Sequence, residues 1–499
     1  MNDSPLFSLL ALLLLAAPAA YLFGRVVPGL RIGRLTPARW IALLALAGAW
    51  IPFAAAQRAF VESGPPVFRL GGISLEMDGI GLLLAALALG LGGLVTVFSG
   101  PAEEGEDGEE KYFAMLLAMV GAMVGLGCAA DLFNLWLWFE AMTISSYLLV
   151  AFHRDQPASL EAGVKYLVQS AAGSVFVLLG IAVVLANTGT LDLAEIALHP
   201  PEPALLAAAG LFITGYGVKA ALVPLHTWLP DAHSQAPSGI SAMLSGVVIE
   251  AALVALLRAL AVTAGVVPSW GALLIVLGAV NMLAGNLLAL VQREVKRLLA
   301  YSSVSHLGYI LMGLGFSLEA GQAAGAQGGL FHLLNHGLMK GLAFLAAGAL
   351  IHALRLQMGG SFRALVIDDL DGAYRRYPLV AITFSLAVLS LAGLPPLAGF
   401  MSKWQIIAAG VAGREAWLIG MAHFAGFNSM LSFVYYLPLV SAVYRGVPSP
   451  AVQAGSPVPG AMQVPLLALA LAIAVLGIWP GLAGGLVEPA GAALMEMFR

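Results

Sequence analysis

Charged residues are scarce in this sequence. Asp, Glu, Lys and Arg make up 10% of the 499 residues, whereas a soluble domain contains about 25%. Hydrophobic residues make up 60%, and the mean hydropathy is +0.92. This composition excludes a soluble globular protein and predicts an all-α polytopic membrane protein. The net charge of −4 comes without a basic patch, so no nucleic-acid partner is expected.

Cysteine is nearly absent as well. Cys128 is the only one, which excludes intrachain disulfides, iron–sulfur clusters and cysteine-based zinc sites. The sequence also lacks a glycine-rich nucleotide loop between a strand and a helix. Its 58 glycines lie mostly in apolar stretches, where small residues let helices approach closely. We therefore predict no metal and no cofactor in this chain, and any redox cofactor would belong to a partner.

The N-terminal segment lacks the positive charge of a signal peptide. The stretch AAPAA at 16–20 resembles a cleavage site, but the residues before it contain Asp3 and no Lys or Arg. A signal peptide begins with a positively charged region. We therefore predict a retained first helix whose N-terminus lies outside.

Apolar runs of about 20 residues recur along the chain, and a helix of that length crosses roughly 30 Å of hydrocarbon. Each run predicts one membrane helix, numbered 1 to 14 in chain order. The fourteen runs lie near 5–23, 40–57, 79–99, 113–130, 132–152, 163–186, 204–229, 238–262, 270–291, 298–316, 327–354, 378–408, 415–444 and 463–482.

The distribution of Lys and Arg supports this count, because inner loops carry an excess of both. With the N-terminus outside, 15 of the 23 basic residues fall inside, among them Arg31 and Arg34, and five fall outside, among them Arg499. The acidic segment 101–111 also falls inside, but acidic residues weigh little in this rule. We predict a multi-pass protein of the cell inner membrane. The three basic residues left over lie at membrane depth and are Lys219, Lys340 and Lys403.

Seven ionisable residues fall within the predicted helices. A charge at the centre of a membrane helix costs about 2.5–3.5 kcal/mol. The five Lys and Glu residues together would cost on the order of 15 kcal/mol, against about 5–15 kcal/mol for the net stability of a whole domain. Packing alone does not favour such residues, and a set of them indicates an ion path. They are Glu140, Lys219, Glu250, His332, His336, Lys340 and Lys403.

Predicted helix 11 contains three of these residues at regular spacing. In FHLLNHGLMKGLAFL, His332, His336 and Lys340 are four residues apart. Successive members rotate by about 40° and rise by about 6 Å, so they form one polar stripe. Such a stripe can border a file of water and relay protons, although the two histidines could instead serve only as hydrogen-bonding groups between helices.

Two predicted helices contain proline close to a lysine. Lys219 lies in GYGVKAALVPLHTWLP (215–230) of helix 7, and Lys403 lies in LSLAGLPPLAGFMSKWQII (389–407) of helix 12. Broken helices at corresponding places in two halves are typical of inverted-repeat transporters. The carbonyls freed by a break are tolerated only where protein or water satisfies them. The breaks are predicted at Pro224, Pro230, Pro395 and Pro396.

The two breaks lie five helices apart, which predicts two inverted repeats of five helices. The first repeat is helices 4–8 (112–262), and the second is helices 9–13 (263–445). Helices 1–3 (1–111) precede them, and helix 14 (446–499) follows.

The remaining assignments leave alternatives open. Glu140 on helix 5 is a candidate counter-charge for Lys219, but a single buried pair could serve only helix packing. Glu250 on helix 8 could join the path, pair with Arg258 or face a partner subunit. Secondary candidates are His226, which could instead cap a loop, His306 and Lys165.

Five stretches together resemble the antiporter-like membrane subunits of the complex I and Mrp cation/proton antiporter superfamily. The resemblance covers helices 4 to 12 and implies fourteen helices, two inverted five-helix repeats and half-channels joined by buried lysines. The stretches are DLFNLWLWFEAMTISSYLLV, GVKAALVPLHTWLPDAHSQAPSGISAMLSG, REVKRLLAYSSVSHLGYILMGLG, FHLLNHGLMKGLAFLAAGAL and LAGLPPLAGFMSKW.

The resemblance also implies roles for individual residues. Glu140 and Lys219 match the pair on helices 5 and 7, the helix 11 stripe matches the central axis, and Lys403 matches the helix 12 lysine. One position departs from the family, because the residue after SGVVI is usually a lysine and is Glu250 here. An acid at this point would lower the proton affinity, rearrange the pairing or add a cation ligand. The length and the helix 5 motif look most like the Mrp D-type subunit or a related hydrogenase or complex-I-like subunit.

Together these observations predict a proton-translocating, antiporter-like subunit of a larger membrane complex, either an Mrp-type Na⁺/H⁺ antiporter or an NADH dehydrogenase or hydrogenase complex. Protons would enter near the helix 7 break, pass Lys219, the helix 11 stripe and Lys403, and leave near the helix 12 break, with movement of Glu140 and Lys219 as the gate. The expected partners are other membrane subunits, lipid and protons, with Na⁺ as a second candidate cargo. Any enzyme activity would belong to the complex. The alternatives are a quinone-binding subunit, a purely structural subunit and an amino-acid-type carrier.

Overall fold

The structure, a computed structural model, describes residues 4–30, 35–103, 108–267, 269–356 and 363–498. Arg31, Arg34 and Arg499, which entered the orientation analysis, lie outside these residues, as does the middle of the acidic segment, 104–107. Most of the described chain is α-helical.

The helices begin and end close to the predicted runs. Residues up to the first break form α1 (Pro5–Val26), α2 (Pro37–Ser63), α3 (Gly79–Ala102), α4 (Glu109–Gly127), α5 (Leu132–Val150), α6 (Pro157–Thr188), α7 (Leu193–Ala197) and α8 (Leu205–Lys219). The middle of the chain forms α9 (Trp228–Gln235), α10 (Ser238–Met243), a π-helical segment (Leu244–Val248), α11 (Ile249–Ala261), α12 (Trp270–Leu290), α13 (Val295–Ala320) and α14 (Ala323–Ala353). The remainder forms α15 (Pro378–Ala392), α16 (Ala398–Ala412), α17 (Ala416–Val443), α18 (Pro450–Ala454), α19 (Gly460–Ile478) and α20 (Gly484–Met497).

The predicted membrane helices are all present. In the described chain, eleven helices are long and apolar enough to cross a membrane, with Ser238–Ala261 counted as one. The other three predicted spans correspond to α5 and to two broken helices, α8–α9 and α15–α16. The prediction of an all-α polytopic membrane protein is therefore confirmed.

Besides the short helices α7 and α18 and the π-helical segment, a hairpin and a C-terminal helix were not predicted. Residues 67–76 form an antiparallel hairpin of β1 (Val67–Leu70) and β2 (Ile73–Glu76), with Val67 opposite Glu76. The second element is α20, which at 14 residues spans only about 21 Å and is too short to cross a membrane. Its buried residues Val487, Ala490, Gly491 and Leu494 follow helical spacing, so it lies on the protein with one apolar face inward. Both elements escaped prediction because hydropathy detects only runs long enough to span the bilayer.

Three spans form the centre of the molecule. Every residue of the most apolar stretch of Ser238–Ala261 is buried, and nearly all residues of the corresponding stretches of α13 and α14 are buried as well. The outer helices instead expose apolar side chains, such as Ile51 on α2 and Val168 on α6. Charged side chains placed on the central helices are therefore shielded from lipid on all sides, as intramembrane ionisable residues require.

The first break separates α8 from α9 and runs from residue 220 to 227. It contains a cis peptide bond between Val223 and Pro224, and Ala221 has a positive φ of 55°. Asn281 of α12 satisfies the unwound backbone, since its side chain accepts from the Val223 nitrogen at 3.0 Å and donates to the Ala221 carbonyl at 3.3 Å. Pro230 is placed differently from the prediction, because it lies in the first turn of α9 and not in the break. Proline is tolerated there, where a helix has no earlier carbonyl for its N–H groups to bond.

The second break separates α15 from α16 and runs from residue 393 to 397. It contains a cis peptide bond between Pro395 and Pro396, and Gly393 has a φ of 93°. Asn335 of α14 donates to the Ala398 carbonyl in the first turn of α16, just after the break, at 3.0 Å. An asparagine from a neighbouring membrane helix therefore binds the unwound backbone of the first break, and another binds the start of the helix that follows the second.

Candidate functional site

Lys219 lies at the end of α8, where three other helices surround its fully buried ammonium group. It donates to Ser146 Oγ of α5 at 2.8 Å and to the hydroxyl of Tyr166 of α6. The ammonium nitrogen lies 4.0 Å from the centroid of the Tyr166 ring. That ring stacks on Trp228, the first residue of α9, with a centroid separation of 3.9 Å. Lys219 is thus held by hydroxyl groups and aromatic rings across the first break.

Glu140 lies on α5 near this group, where it was predicted as a counter-charge for Lys219. In the described chain no ion pair within 4.0 Å joins the two side chains. The Glu140 carboxylate interacts electrostatically with Lys219 and lies near the Ser174 hydroxyl, while its Oε1 is buried without a hydrogen-bond partner. The Lys219 ammonium therefore contacts two hydroxyl groups directly and interacts with the Glu140 carboxylate only at longer range.

Glu250 forms the shortest acid–base contact in the centre of the molecule. Its Oε1 lies 2.7 Å from Nδ1 of His336, and both side chains are completely buried. The suggested pairing with Arg258 is wrong, because Arg258 binds Asp78 at 2.8 Å and the Gly127 carbonyl at 2.7 Å. A carboxylate and an imidazole at this distance share one proton that can rest on either group.

Close backbone packing produces the contact between Glu250 and His336. Gly246, in the π-helical segment just before Glu250, faces Gly337 of α14. A Cβ atom added at Gly246 would lie only 2.9 Å from the Gly337 carbonyl oxygen. Because neither residue has a side chain, the two helices approach closely enough for the neighbouring polar side chains to meet.

Three histidines meet next to this pair. His306 Nδ1 lies 3.0 Å from His332 Nε2, and His332 Nδ1 lies 2.8 Å from Ser402 Oγ. The rings of His306 and His336 stack with their centroids 5.2 Å apart. A neutral imidazole donates from one nitrogen and accepts at the other, so it can take a proton on one side and release it on the other. His306, a secondary candidate in the sequence, is thus at the centre of the cluster.

The two remaining intramembrane lysines, Lys340 and Lys403, both follow the histidines in sequence. Lys340 donates to the Leu299 carbonyl at 2.7 Å and to the Ser302 hydroxyl. Lys403 donates to the Leu391 carbonyl at 2.8 Å and to Ser429 Oγ at 3.1 Å, so its ammonium binds the C-terminal end of α15 at the second break. In the described chain neither lysine has a carboxylate within 4.0 Å. An ammonium without a counter-ion is costly in a dry interior, so its proton occupancy responds strongly to water or charge nearby.

Several buried polar atoms close to the titratable groups have no hydrogen-bond partner in the protein. Buried polar groups are nearly always satisfied by protein or ordered water. These atoms are therefore places where ordered water can bind. They include Glu140 Oε1 on α5, His233 Nδ1 and Nε2 on α9, Glu250 Oε2 on α11, and Asn335 Oδ1 and His336 Nε2 on α14.

His233 and Lys296 extend the buried polar set toward the α5–α6 loop. Lys296, which the sequence placed in an inner loop, is 2% exposed and donates to the Ala236 carbonyl at 2.5 Å. His233, considered only as a loop-capping group, stacks on Phe344 of α14 at 4.6 Å. His153 lies outside the spans, in the loop between α5 and α6. Its pKa is lowered to about 4, mainly by burial and next by the nearby Lys296 ammonium. Spacing gave no sign of this group, because its members come from separate parts of the chain.

The other predicted candidates lie outside the buried clusters. His226 lies in the first break, 8% exposed, with its ring 6.2 Å from that of Tyr301. Lys165 is half exposed on α6 and pairs with Glu161 at 2.8 Å and Asp231 at 3.0 Å. Of the sequence candidates, Glu250, His306, His332 and His336 are brought together, whereas Lys165 is not.

Comparison with known proteins places these features in context. A family model described as NADH:quinone oxidoreductase/Mrp antiporter, TM, matches residues 129–429. The chain is 33% identical over 445 residues to NADH-quinone oxidoreductase subunit N of Desulforudis audaxviator (strain MP104C), covering 85% of this chain and 84% of the relative.

Two solved structures are similar over nearly the whole chain. A chain of respiratory complex I from Thermus thermophilus with bound aureothin is 30% identical, with a TM-score of 0.76 and coverage of 95% of this chain and 98% of that one. A chain of the membrane-bound sulfane sulfur reductase, an archaeal respiratory membrane complex, is 28% identical, with a TM-score of 0.85 and coverage of 98% of each chain.

Proposed function

Since this chain belongs to the NADH:quinone oxidoreductase/Mrp antiporter transmembrane family, we propose that it carries protons across the membrane as an antiporter-like subunit of a complex-I-type assembly. The resemblance drawn from its five motifs is thereby confirmed. The curated relative is an N subunit of an NADH-quinone oxidoreductase, and the similar solved chains belong to respiratory complexes. These relatives support a respiratory complex over a stand-alone carrier.

The contact network around His306 is the observation that carries this proposal. Glu250 touches His336, the His336 ring stacks on His306, and His306 bonds to His332. His332 continues to Ser402, the residue before Lys403. Packing alone gives no reason to bury so many titratable groups in contact with one another, whereas a proton relay requires such contacts.

The proposed route has three parts. Lys219 takes up a proton at the first break, the Glu250 and histidine cluster passes it through the centre, and Lys403 releases it at the second break. Water bonded to the unsatisfied atoms would join the parts. Because Lys219 contacts hydroxyl groups and not Glu140, the gating step would be movement of the ammonium between Ser146 and the carboxylate.

A cavity supports access from one end, and buried polar groups lead from the centre toward the other. His233 interacts electrostatically with Lys296 and Lys340, and Lys296 interacts with His153 of the α5–α6 loop. At the other end, a cavity of about 860 Å³ is lined by Asp78 and Arg258. Glu250 lies eight residues before Arg258 on α11, about 12 Å along the helix.

The orientation and the repeats are part of the same proposal. The bias of basic residues supports an outside N-terminus, and the two breaks, five helices apart, support inverted repeats of helices 4–8 and 9–13. Thiol labelling of a cysteine introduced at Glu202 or Arg375 would test the orientation, because the native Cys128 is buried. A membrane-impermeant reagent should label position 202 from outside and position 375 only from inside.

We expect Lys219→Ala and Glu140→Ala each to abolish coupled proton transport while the complex still assembles. The first variant lacks the group that carries the proton, and the second lacks the charge that attracts the proton. The measurement is proton uptake by vesicles that contain the whole complex, followed with a pH-sensitive dye. Lys165→Ala is the matched control, since that lysine is half exposed and outside the clusters. Wild-type uptake in either of the first two variants would refute the role of this chain.

A further inference from the structure

We propose that a cavity at the N-terminal end of α4 binds an anionic phospholipid. The cavity has a volume of about 570 Å³ and lies between α1, α4, α5 and the start of α6. This volume is in the range of small-molecule sites, about 300–1,000 Å³. The lining includes Tyr21, Lys111, Met115, Leu148, Phe152 and Arg154. None of these residues takes part in the proposed proton route.

Two cations line the polar end of the cavity. Lys111 is the third residue of α4, and Arg154 lies in the loop between α5 and α6. Within the described part of the chain, neither side chain forms an ion pair or a hydrogen bond. Other cations at this end of the bundle do have partners, since Arg25 lies 3.9 Å from Glu110 and Lys165 pairs with Glu161. The positive charge of Lys111 and Arg154 is therefore available to a ligand.

The rest of the cavity is apolar. Met115 lies one turn beyond Lys111 on the same face of α4. Leu148, near the end of α5, is 48% exposed, and Phe152 closes the wall beside it. The charged end thus lies at the helix ends, and the apolar wall runs from it toward the middle of the membrane. A phospholipid has the same arrangement, with a phosphate at the interface and acyl chains below it.

The charge decides which kind of lipid fits. A neutral helix from a partner would leave both cations unpaired, and a zwitterionic headgroup carries its own positive charge beside the phosphate. An anionic headgroup satisfies Lys111 and Arg154, and basic pockets between membrane helices are known to bind such headgroups. On the proposed orientation the site faces the cytoplasmic leaflet, where anionic lipids create a negative surface potential.

The test uses the whole complex in phosphatidylcholine vesicles that contain a trace of phosphatidylglycerol with a photoreactive group in one acyl chain. Illumination should label peptides of α4 and of the end of α5, and it should do so far more than phosphatidylcholine with the same group. In the double variant Lys111→Ala/Arg154→Ala, labelling by phosphatidylglycerol should fall by about thirty-fold. Arg375→Ala, which removes an exposed cation outside the cavity, should leave labelling unchanged.

A second variant separates the cavity from its charge. Met115→Trp fills the apolar end but keeps both cations, and it should also reduce labelling. Equal labelling by the two lipids, full labelling in the double variant, or displacement by inorganic phosphate would overturn the proposal, as would cross-links to a neighbouring subunit in place of lipid. Lipid labelling is measured without reference to proton uptake. A failure of the lipid proposal can therefore be distinguished from a failure of the proposed function.

Discussion

Glu250 is an acid at a position where the sequence resemblance implies a lysine, and its partner explains how an acid can occupy that place. A lysine there would bring a positive charge into a cluster of histidines. Glu250 instead contacts His336 at 2.7 Å, so one proton can be shared inside a pair whose other atoms are unsatisfied. We interpret the pair as a proton site that replaces the usual lysine.

This interpretation predicts the behaviour of two variants and their combination. Glu250→Gln and His336→Asn should each reduce proton uptake at least ten-fold, because each leaves the pair without a shared proton. Residues that act as one unit give non-additive losses, so the double variant should be no worse than the single ones. The measurement is dye-monitored uptake in vesicles that contain the complex.

Ser245→Ala provides the matched control for the Glu250 experiment. It breaks a buried hydrogen bond to Ser303 of 2.6 Å, five residues from Glu250, without removing a titratable group. Uptake should stay within about two- to three-fold of the wild type, apart from a stability loss of roughly 1 kcal/mol. If Ser245→Ala is as inactive as Glu250→Gln, the pair has a structural role and the interpretation is wrong.

Individual contacts of this kind could not be predicted from the sequence. The identity of the buried residues was predicted, because charges inside apolar runs are conspicuous. Their partners were not, since Glu250 and His336 are 86 residues apart and the spacing along one helix says nothing about another. The stripe on α14 led to His332 and His336, but the central place of His306 depends on how α13 packs against α14.

At the scale of elements, the two breaks share one feature beyond their prolines. Each contains a residue in the left-handed region, Ala221 with φ 55° in the first break and Gly393 with φ 93° in the second. For an L-residue this conformation costs roughly 1–2 kcal/mol, whereas glycine adopts it freely. The first break is therefore strained at its backbone, and the second is not.

This difference predicts opposite effects of two substitutions. Ala221→Gly should raise the thermal midpoint of the complex. The gain in the free energy of unfolding should be up to about 1 kcal/mol, because the greater freedom of glycine in the unfolded chain offsets part of the relieved strain. Gly393→Ala should lower the free energy of unfolding by about 1–2 kcal/mol, because alanine would have to adopt the left-handed backbone conformation. Its Cβ would also lie only 3.1 Å from Ser429 Oγ.

Gly420→Ala is the control for both break variants. Gly420 lies within α17, and a Cβ there would meet no other atom within 4 Å. Alanine should therefore stabilise the helix by somewhat less than 1 kcal/mol. Thermal unfolding of the purified complex in detergent distinguishes the three variants. A stabilising Gly393→Ala would contradict the assigned backbone conformation.

The elements themselves were largely predictable, because lipid imposes a fixed length on every span. All fourteen runs have a helix or a broken helix within a few residues of the predicted bounds. The hairpin at 67–76 and α20 were missed because they lie against the ends of the bundle, where no length rule applies. Pro230 was assigned to the break on composition alone, although proline is equally suited to the first turn of α9.

For the whole molecule, the arrangement of helices explains why the polar set can exist. The span 238–261 and helices α13 and α14 are buried almost throughout, and α1, α2 and α6 separate part of them from lipid with apolar side chains. The cost of each buried charge is reduced only where protein or water surrounds it. The central helices therefore hold Glu250, the three histidines and Lys340, and the outer helices present apolar side chains to the surface.

We infer a continuous hydrated connection from Lys219 through Glu250 and His336 to Lys403. An electron microscopy map of the assembled complex, at a resolution that places ordered waters, would show this connection without any substitution in the chain. We expect water density bonded to Glu250 Oε2, His336 Nε2 and the His233 ring, joined into a file that reaches both breaks. Dry, apolar packing between these groups would rule out the connection.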